Sequence, residues 1–126
     1  MKTRIFIACA DERLRLGMFL LLDSEPDMAV VGIADRLTGL LAQLEATQAN
    51  VLLLDWDMPR SALRNILADV HALRYPPKII VFASKPEEEG KLIQAGADHS
   101  ILKNAPPDEL FPILRSISYV EQKSSL

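Results

Sequence analysis

Residues 51–59 read VLLLDWDMP, an unbroken apolar run that ends on a carboxylate. Four large apolar residues in succession leave no polar face, so both sides of the segment must be covered. A central strand of a parallel sheet has this pattern, although a short apolar run alone is also compatible with a buried helix. Asp55 then follows at the carboxyl end of the strand, where open α/β sheets place their ligand chemistry. Met58 and Pro59 end the strand, because proline cannot donate to a β-ladder.

Strand-like and helix-like segments alternate five times along the chain. Such βα units with short connections predict a parallel sheet with helices on both faces. Pro112 lies within the last apolar helical pattern, where proline costs about 3 kcal/mol, so we expect that helix to begin late, near Glu109 or Leu110, or to be kinked. The predicted strands are 4–8, 28–34, 51–55, 78–83 and 100–102, and the apolar positions of the predicted helices fall in 14–22, 37–44, 63–73, 92–93 and 110–120.

Composition restricts the class of protein. The chain has 126 residues, half of them apolar, and a net charge of −3, so it predicts a globular domain without a basic surface for nucleic acid. Its apolar runs are too short for a membrane span, and its N-terminus does not read as a signal peptide. One cysteine permits no internal disulfide, which fits a cytoplasmic location. We expect a domain over residues 1–120 and a polar tail or linker stub over 121–126.

Three motifs in order resemble the receiver domain of two-component response regulators, especially the branch that precedes LuxR-type DNA-binding domains. They are SEPDMAVVG at 24–32, LLLDWDMP at 52–59, and AGAD at 95–98 followed by ILK at 101–103. The resemblance covers nearly the whole chain. It implies a flavodoxin-like (βα)5 doubly wound sheet in the strand order 2-1-3-4-5. It also implies a signalling domain rather than an enzyme.

In that family a partner kinase transfers a phosphoryl group to an aspartate with the help of Mg²⁺. The resemblance places Asp55 at the phosphoacceptor position and Lys103 at the phosphate-contacting position. The acidic pair that holds the metal at the end of the first strand is replaced by Cys9 and Ala10. Neither residue can hold a hard cation at neutral pH as a carboxylate would. We therefore expect a pseudo-receiver that needs no cofactor, with Mg²⁺ relevant only if Asp55 is phosphorylated.

The switch positions of the family also differ in this chain. The hydroxyl residue at the end of strand four corresponds to Ala83, with Ser84 one step later, and the aromatic residue of strand five corresponds to Ser100. The segment between Ala83 and Gly96 is about two residues shorter than usual by this resemblance, which predicts a short fourth helix.

Several side chains near the predicted pocket have more than one interpretation. Asp11 and Asp57 either join Asp55 in holding a metal or are surface acids of the loops. Cys9 either ligates or reacts as a thiolate or is a small buried hydrophobe, which is the commoner case. Trp56 either covers the pocket, anchors a partner, or packs on its own loop. We expect Lys103 to form an ion pair with Asp55, because a buried acid without a metal requires a cation.

Three functions follow from these observations. The first is an atypical receiver that signals through protein contacts, with a histidine kinase, an output domain or a second copy as partner and without direct contact to nucleic acid or membrane. The second is a working receiver that is phosphorylated on Asp55, with a metal held by Asp55, Asp57 and Asp11. The third is a small enzyme or ligand binder on the same fold, which the fold permits but no residue set supports.

Overall fold

A computed structural model describes the backbone of residues 2–124 and the side chains of residues 2–59 and 61–117. Its five strands form one parallel sheet in the order β2-β1-β3-β4-β5, which confirms the predicted topology. Each strand is followed by a helix. The strands are β1 (Thr3–Ala8), β2 (Met28–Ala34), β3 (Val51–Asp55), β4 (Lys78–Ala83) and β5 (His99–Leu102), and the helices are α1 (Glu12–Asp23), α2 (Leu40–Thr47), α3 (Leu63–His71), α4 (Glu89–Gln94) and α5 (Pro107–Ser124).

The central strand β3 is buried on both faces, as its apolar run predicts. Leu52 and Leu54 point into a core cluster under α2, α3 and α4, while Val51 and Leu53 point into a second cluster under α1 and α5. This alternation follows from the two-residue period of a strand. The parallel register places Asp55 opposite Phe82 of β4, so the acid lies at the carboxyl edge of the sheet.

The last helix differs from the sequence prediction. It begins at Pro107, so the late start near Glu109 or Leu110 is wrong. Proline favours the first turn of a helix, and the acids that follow it favour the positive end of the helix dipole. Pro112 lies inside the helix and has no backbone N–H to donate to the carbonyl of Asp108, an exposed residue. The burial of apolar side chains on both sides of Pro112 offsets this loss.

The helix extends beyond the predicted domain boundary at residue 120 and reaches Ser124. The part of the predicted tail at 125–126 lies outside the described residues. α4 has six residues, so the short fourth helix is confirmed. Within residues 2–124, no helix has both the length and the apolar character that a membrane span requires.

Strands β1 and β2 approach each other closely at Gly32. A Cβ atom at this position would lie 2.3 Å from Cε2 of Phe6, whose side chain is only 1% exposed. The register between the strands shifts at this point, between Ile5 and Phe6. Gly32 is therefore required by the ring that packs over it.

We expect Gly32→Ala to lower the free energy of unfolding by about 1–3 kcal/mol, because the methyl group would overlap the buried Phe6 ring. Gly17→Ala in α1 is the matched control, since nothing lies within 4 Å of its added Cβ. That variant should gain roughly 0.5–1 kcal/mol from its higher helix propensity. Urea unfolding measures both, and an equal response of the two variants would contradict the packing described for Gly32.

Candidate functional site

The carboxylate of Asp55 lies at the carboxyl edge of the sheet and is buried, with only 2% of the residue exposed. Its Oδ1 accepts hydrogen bonds from Lys103 Nζ at 2.7 Å and from the backbone N–H of Asp57 at 3.1 Å. Its Oδ2 accepts from the Cys9 thiol at 3.6 Å. A buried carboxylate needs such a cation and such donors to remain ionised. The expected ion pair between Asp55 and Lys103 is present.

Lys103 follows β5 and connects Asp55, the last residue of β3, with Asp57 in the loop after that strand. Its backbone N–H donates to the carbonyl of Ala83 at 2.9 Å, which fixes the residue beside the end of β4. Its ammonium contacts the carboxylates of both Asp55 and Asp57. Burial lowers the pKa of Lys103, but the hydrogen bonds and charges of the two carboxylates outweigh it and leave the pKa above its ordinary value. One cation is thereby shared between two acids.

Cys9 occupies the end of β1 and is fully buried, which confirms its interpretation as a small buried residue. Its thiol contacts Asp55 Oδ2 and the carbonyl of Asp11. Burial and the neighbouring charge of Asp55 raise the pKa of the thiol to about 11. The thiol is therefore protonated at neutral pH, donates to the carboxylate, and carries no charge that could bind a hard cation.

The remaining positions of the first loop are also unsuited to a metal. The side chain of Ala10 has no atom that could bind a metal, and the carboxylate of Asp11 caps α1 by accepting from the backbone N–H groups of Arg13 and Leu14. The guanidinium of Arg15 donates to the carbonyl of Cys9 at 2.9 Å and brings a further positive charge to this loop. The structure thus joins Asp55 and Asp57 through Lys103 and directs Asp11 to the helix.

These donors do not fit Mg²⁺, which prefers several oxygen ligands including carboxylates. In residues 2–124, wherever side chains are described, no group of three or more histidine, cysteine, aspartate or glutamate side chains could hold a metal ion. The two nearest carboxylates already share one ammonium group.

The three predicted switch positions have other contacts. Ala83 is buried and offers no hydroxyl group, while Ser84 lies beyond the end of β4 and is exposed. The hydroxyl of Ser100 donates to Glu89 of α4 at 2.8 Å. β5 is therefore tied to α4 by a short polar side chain instead of carrying an aromatic ring.

Glu88 organises the β4–α4 loop, a role that the sequence analysis missed. Its Oε1 accepts from the backbone N–H groups of both Ser84 and Lys85 at 2.9 Å. Glu88 lies three residues after Lys85, the spacing of the acid in a helix capping box, although a lysine cannot supply the accepting side chain of that motif. Glu88 therefore holds the β4–α4 loop together.

Alkaline pH should reveal the environment of Cys9. Because its folded-state pKa of about 11 exceeds the ordinary 9.0, the unfolded chain loses this proton first as the pH rises. We expect the free energy of unfolding to fall by on the order of 1–2 kcal/mol between pH 9 and 10.5. The pKa of Lys103 is also raised, from 10.5. The stability that its charge contributes is therefore fully present below the pKa of the unfolded chain and is lost as the pH rises through the higher pKa of the folded state.

Urea unfolding of the original chain and of Cys9→Ala across this pH range measures the effect. The variant should lose less stability than the original chain. Equal losses would show that the thiol does not lie beside the Asp55 carboxylate.

Comparison with known proteins identifies a family and several relatives of the chain. The family model for the response regulator receiver domain matches residues 5–115. The uncharacterized transcriptional regulatory protein YxjL of Bacillus subtilis (strain 168) is 29% identical over 119 residues. That match covers 91% of this chain and 55% of YxjL, so the chain spans about half the length of this curated relative.

Solved structures share the fold at lower identity. The NarL signal receiver domain of Mycobacterium tuberculosis superposes with a TM-score of 0.79 at 24% identity, over 93% of this chain and 97% of that one. A DNA-binding response regulator of the LuxR family from Staphylococcus aureus gives 0.77 at 23% identity, over 91% and 98% of the two chains. The crystal structure of the P1 domain of CheA3 in complex with CheY6 from R. sphaeroides contains a chain that superposes with a TM-score of 0.77 at 23% identity, over 94% of this chain and 99% of that one.

Proposed function

The chain belongs to the response regulator receiver domain family of two-component signalling, and from this premise we propose that it is an atypical member that signals through protein contacts. In this proposal Asp55 is not efficiently phosphorylated. The observation that carries the proposal is the neutral Cys9 thiol bound to Asp55 Oδ2, at a position where the family has a metal-binding acid.

The charges of the pocket support this proposal. Phosphoryl transfer to an aspartate requires a divalent cation to neutralise the charge that develops on the phosphoryl oxygens. Lys103 already pairs with both Asp55 and Asp57, and the first loop adds a thiol and a methyl group instead of two carboxylates. By analogy with the loss of one preorganised stabilising group, the barrier rises by about 3 kcal/mol or more, a hundredfold or greater in rate.

The contacts around β4 and β5 also support an atypical receiver. The backbone of the β4–α4 loop is held by Glu88, and Ser100 is held by Glu89. In the family, a hydroxyl residue and an aromatic residue respond to the phosphoryl group, and the corresponding positions of this chain are Ala83 and Ser100. Here the same region is closed by internal hydrogen bonds, which favours a domain with one fixed surface.

The surface of α1 is suited to a protein partner. Leu16 and Leu20 lie four residues apart on the outward side of the helix and are 55% and 60% exposed. A separate cavity of about 320 Å³ with largely apolar walls lies between α1 and α5, and neither of these leucines lines it. We propose that α1 and α5 contact a signalling protein or a second copy, since exposed apolar surface of this kind marks interaction sites. The expected cytoplasmic location stays a prediction.

Phosphorylation of Asp55 is the alternative function. Two observations favour it: the acid lies at the carboxyl end of the central strand, and Lys103 Nζ lies 2.7 Å from it. This alternative requires the metal to displace Lys103 from Asp55 and Asp57 and to recruit other oxygen ligands. The same experiment separates the two functions.

We expect no stable adduct on Asp55 when the chain is treated with acetyl phosphate or beryllofluoride and millimolar Mg²⁺, as read by mass spectrometry and by the fluorescence of Trp56. Cys9→Asp combined with Ala10→Asp restores two carboxylates at the end of β1. This variant should be stabilised by Mg²⁺ in thermal unfolding, because the metal relieves the repulsion among the added acids and Asp55.

The matched control is Cys9→Asn with Ala10→Asn, which has nearly the same shape without the charges. It should not respond to Mg²⁺ beyond the effect of NaCl at equal ionic strength. A Mg²⁺-dependent adduct on Asp55 of the original chain would overturn the proposal in favour of the alternative.

A further inference from the structure

A cleft of about 390 Å³ opens between the start of α3 and α4, on the face of the sheet opposite α1 and α5. Leu63 and Leu92 in its wall are buried, Trp56 is half-buried, and Arg64 and Lys91 are exposed. This volume lies in the range of small-molecule sites, which combine apolar walls with a few polar groups. Neither the Asp55 pocket nor the α1 surface includes this cleft.

The short α4 explains why the cleft exists. Six residues span roughly 9 Å, so α4 covers only part of the sheet face beside α3. Trp56 leaves β3 directly after Asp55, and its backbone N–H donates to the carbonyl of Phe82 at 3.1 Å. The indole also packs against the core cluster under α2, α3 and α4. Its position in the cleft is therefore fixed by the sheet.

The charge of the cleft is positive in a chain whose net charge is −3. Arg64 comes from α3 and Lys91 from α4, and among the described side chains neither forms an ion pair. The acid of the cleft, Glu88, is already engaged, because its Oε1 accepts from two backbone N–H groups of the β4–α4 loop. The cleft thus combines two cations from two walls with one hydrogen-bonded carboxylate, a net positive charge, beside an aromatic ring.

We propose that this cleft binds a small anion that carries a planar aromatic ring, either an aromatic carboxylate or a nucleoside monophosphate. The ring of the ligand lies against Trp56, and its acidic group pairs with Arg64 and Lys91. Aromatic stacking and charge-assisted hydrogen bonds supply the two parts of this recognition. The proposal does not depend on whether Asp55 accepts a phosphoryl group, since no residue of the Asp55–Lys103 pair lines the cleft.

Nuclear magnetic resonance tests the proposal directly, because the chain has one tryptophan and so one indole N–H signal. The ¹⁵N-labelled chain is titrated with 2-naphthoate and, separately, with guanosine 5′-monophosphate. The uncharged probes 2-naphthylmethanol and guanosine are the matched controls. We expect a saturable shift of the Trp56 indole signal with at least one anion, and at least fivefold weaker binding of its uncharged analogue.

Variants identify the cations. Arg64→Gln and Lys91→Gln should each weaken binding about five- to tenfold. Arg36→Gln should leave the affinity unchanged, because Arg36 is an exposed cation that does not line the cleft. A response to naphthoate alone supports an aromatic acid, a response to the nucleotide alone supports a nucleoside monophosphate, and a response to both supports their shared chemistry.

Three results would overturn the proposal. The first is the absence of a saturable shift with either anion. The second is equal binding of the charged and uncharged probes. The third is an unchanged affinity in both Arg64→Gln and Lys91→Gln, or an equal loss in Arg36→Gln.

Discussion

The ion pair between the buried Asp55 carboxylate and the Lys103 ammonium is the interaction on which the rest of the site depends. A carboxylate that is 2% exposed cannot remain charged without a cation or several donors. In this chain the cation is a lysine side chain at 2.7 Å, and a thiol and a backbone N–H supply the other hydrogen bonds. The charge of Asp55 is thereby balanced from within the protein, and Asp57 shares the same ammonium group.

In the family, the receiver fold and the metal-binding acids at the end of the first strand occur together, whereas in this chain the fold is present and Cys9 and Ala10 stand in place of those acids. The fold still delivers an acid to the carboxyl edge of a parallel sheet, because β3 is buried on both faces and ends at Asp55. The chemistry requires additional negative charge to hold a divalent cation, and Cys9 and Ala10 cannot supply it. A domain of this kind retains the architecture of a receiver, and we propose that its surfaces carry the signal.

The sequence predicted the sheet well because its signals are local. The apolar run before Asp55, the alternating segments and the short fourth helix are all visible as patterns of neighbouring residues. The start of α5 was predicted wrongly because a propensity penalty at Pro112 was weighed without the burial of the helix, which is a tertiary effect. The roles of Glu88 and Glu89 depend on which atoms the folded loop brings together, and an acidic run alone resembles a solvated surface.

Binding of Mn²⁺, a paramagnetic substitute for Mg²⁺, tests the central claim most directly. The measurement is the line broadening of backbone amide signals in the ¹⁵N-labelled chain as Mn²⁺ is added. If Lys103 occupies both carboxylates and Cys9 and Ala10 supply no metal-binding acid, millimolar Mn²⁺ will not selectively broaden the amides of Asp55 and Asp57. Selective broadening of these amides at micromolar Mn²⁺ would show a metal site there and contradict the account.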